Sequence, residues 1–220
     1  MKNNENTAGR KVNPMQLKEK SYRIGGALMV VIIITQLTLV LASWIITAVK
    51  PEIQMRSMLS SEGIRWAFGY FSENLSTPFL EWMLLASIAL GPLVKSRMLR
   101  LVSSPKAFTM REKIALQFVA AEIILYLAVM FFLTFIPHAI LLSITGALFP
   151  SSFAYSIVPQ ISFMVCLISM TYGVVTGTLH SITDIFASFT YGFSFMAPIF
   201  VLYILVIEFY KSLCFIMMWQ

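Results

Sequence analysis

The chain has 220 residues, of which 58 % are hydrophobic and 12 % charged, a balance that excludes an ordinary soluble domain. A net charge of +6 would suit a nucleic-acid binder, but the basic residues stand between apolar runs, as the positive-inside rule describes. Cys166 and Cys214 lie far apart with no CxxC or Cys/His spacing, and no nucleophile elbow, phosphate-binding loop or zinc-protease motif is present. Neither an enzyme nor a metal or other cofactor is expected.

Residues 1–23 are polar and basic, with Lys2, Arg10, Lys11, Lys18, Lys20 and Arg23 against Glu5 and Glu19. They are expected to form a cytoplasmic tail, disordered in its first part. The apolar run 24–49 is too long and too late for a signal peptide and predicts a first membrane span. Thr35 and Gln36 inside it either touch a neighbouring helix or bond their own backbone. Residues 50–77 leave the membrane. There Ser60 or Ser61 can cap a helix whose first turn holds Glu62, and the aromatic-rich residues up to Phe71 predict an amphipathic helix lying at the interface. Arg65 belongs to that surface, or else faces a substrate.

Further spans are predicted at 78–94, 114–137, 158–178 and 188–209, the last broken by Pro198. The expected fold is therefore an all-α, polytopic membrane protein. It has about five transmembrane helices plus the interfacial one, in a single transmembrane domain over 24–213, followed by an apolar tail at 214–220. Six of the sixteen basic residues lie in the tail 1–23 and six in the loop 95–113. That asymmetry puts the N-terminus in the cytoplasm and the C-terminus outside. The loop 138–156, with Gly146 and Pro150, has no Lys or Arg, and the connector 179–187 carries His180 and Asp184.

Charges inside spans are costly and ask for a partner or a wet cavity. Glu81 lies near an interface, and Glu208 can pair with Lys211 at i+3. Glu122 is deepest, about 13 Å along the helix from Lys113, and is the candidate proton carrier. Ser169, Gly173 and Gly177 form a small-xxx-small row. Two readings stay open for it: close helix packing, or an unwound segment on a substrate path that includes Thr176, Thr178 and Ser181.

The stretch Phe153-Ala154-Tyr155-Ser156-Ile157-Val158-Pro159, then Tyr172-Gly173 and Thr176-Gly177-Thr178 with Ser181 and Asp184, resembles the AbgT (p-aminobenzoyl-glutamate transporter) family. In that family a similar opening leads into a span with a similar end. A second patch, Met58 to Trp66 continuing to Glu73-Asn74-Leu75, resembles the segment after the family's first helix. The resemblance implies a multi-pass protein of the cell inner membrane that transports p-aminobenzoyl-glutamate or a related aromatic conjugate or drug. Gly173, Thr176, Gly177 and Thr178 would line the path and Glu122 would carry a proton. Its partners would be the lipid bilayer and either a second copy or another membrane subunit, with no nucleic acid. The family's members are much longer and hold substrate on two re-entrant hairpins, whose regions are expected to be missing here. A non-transporting scaffold or accessory subunit is accordingly the alternative.

Overall fold

The computed structural model describes residues 14–100, 108–135 and 152–219. The tail to residue 13, the middle of the basic loop, and the loop with His138, Gly146 and Pro150 lie outside them. The described residues form seven helices: α1 Pro14–Val49, α2 Ser61–Gly69, α3 Phe71–Leu75, α4 Pro78–Lys95, α5 Met110–Phe135, α6 Ser152–Thr176 and α7 Ile182–Met217. Five of them (α1, α4, α5, α6 and α7) are long and apolar enough to cross a membrane. The protein is therefore all-helical, with the expected number of candidate spans.

Short polar signals set the helix starts. Ser60 caps α2, its Oγ accepting the Gly63 N–H at 3.1 Å. Thr77 caps α4 by accepting the Leu80 N–H at 3.4 Å, with Pro78 at the first helical position. Before α5, the Glu112 carboxylate accepts both the N–H and the O–H of Thr109, each at 2.8 Å, while Thr109 Oγ1 accepts the Glu112 N–H at 3.4 Å. Ser181 and Asp184 repeat that reciprocal box before α7. This is why α7 opens at Ile182 rather than near 188. It also runs through Pro198 and past Phe209, to Met217. A proline inside a membrane helix is tolerated where its surroundings satisfy the freed carbonyl.

The chain forms two compact units, one of Met1–Ser76 with Pro198–Gln220 and the other of Thr77–Ala197. In the first, Met58, Phe215 and Ile216 are buried together, with Trp66 stacked on Phe215 at 4.7 Å between ring centres. The turn before α2 is tied down by polar bonds. The Met58 N–H donates to Ser43 Oγ at 3.2 Å, and the Arg56 N–H donates to the Ile216 carbonyl at 3.0 Å. Thr35 and Gln36 of α1 behave differently: Thr35 donates to the Val31 carbonyl of its own helix, whereas Gln36 reaches Ser212 Oγ at 2.9 Å. Glu208 and Lys211 form no ion pair, and Glu208 Oε1 is buried without a hydrogen-bond partner.

In the second unit α6 packs along both α4 and α5. Ala115 and Val119 of α5 meet Ile168 and Tyr172 of α6, two pairs each four residues apart, which is how antiparallel helices interdigitate. Lipid tails are as apolar as these side chains, so hydrophobic transfer does not drive the helices together. Close packing has to. The tightest approach joins α4 to α7. A Cβ placed on Gly91 would meet the Ser188 carbonyl oxygen, and one on Gly192 would meet the Ser87 carbonyl oxygen and lie 2.9 Å from the Gly91 nitrogen. Ser87 and Ser188 are both fully buried there. Elsewhere the helices turn apolar faces outward, Ile124, Leu125, Phe131 and Phe132 among them, as lipid contact requires.

Candidate functional site

The end of α6 is fixed by backbone bonds. Gly177 lies one residue past the helix at a φ of +72°. The Thr178 N–H donates to the Gly173 carbonyl at 2.8 Å, and the Gly177 N–H to the Val174 carbonyl at 3.1 Å. This is the Schellman arrangement, which favours glycine because the left-handed conformation has no Cβ penalty there. The helix therefore runs unbroken to Thr176. Ser169 and Gly173 lie on it, while Gly177 serves as its cap. Gly177→Ala is expected to cost about 1 kcal/mol through backbone strain alone, because its nearest neighbour, His180 Cε1, would stand 3.5 Å from the new Cβ. Gly177→Asn should cost less, since asparagine tolerates this conformation better. Thermal melting in detergent checks both.

The hydroxyls of this stretch already have partners. Thr176 Oγ1 donates to the Tyr172 carbonyl at 2.7 Å. Thr178 Oγ1 lies 3.1 Å from the Gly173 carbonyl and 3.4 Å from that of Ser96, just beyond α4. Gly173 faces the same junction, where an added Cβ would lie 2.6 Å from Leu179 Cδ1 and 3.2 Å from Ser96 Cβ. The four path candidates thus divide. Gly173 and Thr176 are engaged within the packed helix, and Gly177 and Thr178 open onto a cavity.

That cavity has a volume of about 690 Å³ and is lined by Val94, Lys95, Arg97, Leu99, Arg100, Gly177, Thr178 and His180. Among the described residues no carboxylate lines it, and none of Lys95, Arg97 and Arg100 makes an ion pair. Lys95 Nζ sits 4.6 Å from the centre of the Tyr191 ring, a cation–π contact that holds it in place. Asp184 is occupied as a cap, its Oδ2 accepting the His180 and Ser181 N–H groups at 3.1 Å each. Arg97 has a φ of 61°, a conformation glycine would adopt freely and arginine adopts only with strain. A cluster of this kind attracts carboxylates or phosphates.

Glu122 lies in the α5–α6 seam. Thr171 Oγ1 donates to its Oε1 at 3.3 Å, while Oε2 is buried without a hydrogen-bond partner. A turn further along, the Tyr126 hydroxyl donates to the Gln160 carbonyl at 3.0 Å. Ser169, fully buried, also has a hydroxyl with no partner. The basic residues of the cavity escape a sequence reading because positive-inside loops are basic whatever their function. The Ser87/Gly91 and Ser188/Gly192 repeats were readable as small-xxx-small pairs, but only the fold brings them together.

These features define a polytopic helical membrane protein with a cationic cavity where the segment after α4 meets the α6–α7 connection. Residues 89–218, more than half of the chain, match the AbgT transporter family, and the chain belongs to that family. The stretch from Phe153 to Asp184 lies inside the match, and the patch from Met58 to Leu75 precedes it. No curated protein and no solved structure matches the chain.

Proposed function

We propose that the chain acts in the cell inner membrane, N-terminus in the cytoplasm, in transport of p-aminobenzoyl-glutamate or a related anionic aromatic conjugate. The cationic cavity is its cytoplasmic mouth, Gly173, Thr176, Gly177 and Thr178 form the adjoining wall, and Glu122 carries the coupling proton. The chain works as a homo-oligomer or beside another membrane subunit. One observation carries the reading: within the family-matched segment, Lys95, Arg97, Arg100 and His180 line a cavity of about 690 Å³ with no carboxylate among its described lining residues. That volume lies in the range of small-molecule sites, and the charge suits a dicarboxylate.

The test is counterflow of labelled p-aminobenzoyl-glutamate in proteoliposomes. Flux above empty vesicles is expected, and its absence with folded protein would sink the proposal. Arg97→Gly gives a sharper check. Relief of the left-handed strain should add about 1 kcal/mol of stability, while loss of the guanidinium lowers flux. A stabilised variant with unchanged flux would remove Arg97 from the site.

A second reading, a non-transporting membrane scaffold, draws support from the bonded hydroxyls of Thr176 and Thr178 and from the close Gly91–Ser188 approach. Gly173→Leu separates the two: lost assembly in cross-linking favours the scaffold, and intact assembly with lost flux favours transport.

A further inference from the structure

The first unit contains a cavity of its own, of about 420 Å³, lined by Arg56, Trp66, Asn74, Tyr210, Lys211, Cys214, Phe215, Met218 and Trp219. Its polar lining is rich in donors: a guanidinium, an ammonium, an amide N–H₂ and two indole N–H groups. Among the described residues no carboxylate lines it. Asn74 is only 6 % exposed, and its Nδ2 has no hydrogen-bond partner. A buried amide left in that state costs free energy unless an acceptor is supplied.

Backbone acceptors at the nearby end of α7 are engaged elsewhere. The Cys214 carbonyl receives the Trp219 N–H at 3.0 Å, and the Ile216 carbonyl receives the Arg56 N–H at 3.0 Å. Arg56 is held in place, with its guanidinium carbon 5.4 Å from the centre of the Phe215 ring and Nη1 3.5 Å from Glu62 Oε1. Lys211 has no ion pair among the described residues. A fixed cation, an uncommitted cation and an unsatisfied buried amide converge between aromatic walls. Aromatic rings with Lys and Arg are the set found where a membrane protein meets lipid headgroups.

We propose that this cavity binds a phosphate group, with Asn74, Lys211 and Arg56 as its donors and the aromatic rings packing beside the glycerol or acyl portion when the phosphate belongs to a lipid. The test uses the full chain in a phosphate-free detergent. Dioctanoyl phosphatidic acid, dioctanoylglycerol and inorganic phosphate are titrated separately, with binding read by tryptophan fluorescence and native mass spectrometry. Saturable binding of phosphatidic acid is expected, with none for dioctanoylglycerol. Lys211→Gln and Asn74→Leu should each weaken it by about tenfold, the effect of one lost hydrogen bond to a charged group. Inorganic phosphate that binds and competes would identify a free anion as sufficient, and failure to compete would identify the lipid headgroup as the ligand. Equal binding of the phosphate-free lipid overturns the proposal. So does unchanged affinity in Lys211→Gln, a substitution at a partly exposed position that stays informative even if Asn74→Leu fails to fold.

Discussion

Gly192→Leu is expected to leave no folded protein to purify, and Gly91→Leu the same, whereas Gly25→Leu and Gly26→Leu should behave like the parent. All four residues lie in apolar helices, so composition does not separate them. Their surroundings do. At Gly91 and Gly192 the position of a Cβ is filled by a carbonyl of the opposing helix, while at Gly25 and Gly26 nothing lies within 4 Å. A flexible side chain can swing aside, but a helical carbonyl moves only if the whole helix moves. Even alanine at Gly91 or Gly192 should therefore cost about 1–3 kcal/mol as overpacking, and leucine more. Gly173→Ala should be milder, because the atoms it meets are the side chains of Leu179 and Ser96. Size-exclusion profiles and melting curves of the seven variants, compared in one detergent, decide the ranking. Equal behaviour of Gly25→Leu and Gly192→Leu would refute the crossing.

The second large effect is functional. Glu122→Gln should abolish proton-coupled flux while leaving the protein folded, because the amide can still accept from Thr171 but cannot carry a proton across the seam. The stability change should be small, about 1 kcal/mol, because the hydrogen bond from Thr171 is kept. Glu122→Leu should also lose flux yet hold or raise stability, since it removes the unpartnered Oε2 from an apolar seam. Flux driven by a pH gradient, measured beside melting, separates the roles. Retained gradient-driven flux in Glu122→Gln would show that the carboxylate does not carry the proton.

Much of the architecture was legible because a bilayer imposes one strong rule: a segment exposed to hydrocarbon must satisfy its backbone internally and be apolar for about 20 residues. The five runs obey it, and the α2 cap falls on Ser60, one of the two serines the pattern offered. Helix ends were harder to read. The Ser181–Asp184 box, readable as Ser-x-x-Asp, draws α7 six residues earlier than hydropathy alone suggests. Phe215 and Ile216 extend it the other way by packing on Met58 and Trp66, a contact distant in sequence. Of the Ser169, Gly173 and Gly177 row, Ser169 is fully buried on α6 and Gly173 lies against Leu179 and Ser96, while Gly177 serves the turn rather than the row. Spacing cannot tell a helical glycine from the one that ends the helix. The cavity lined by Arg97 and His180 depends on two loops meeting, which no local pattern encodes.

Ser87 and Ser188 also bear on how the protein is made. Their hydroxyls donate to Leu84 and Ile185 of their own helices, at 2.7 and 2.6 Å, so at the α4–α7 crossing they act as small side chains rather than as polar ones. Neither needs its partner helix in order to be satisfied in hydrocarbon. Each segment can therefore leave the translocation channel and rest in lipid alone, with docking deferred until both have arrived. The α4 helix can thus wait in lipid for a helix translated roughly a hundred residues later.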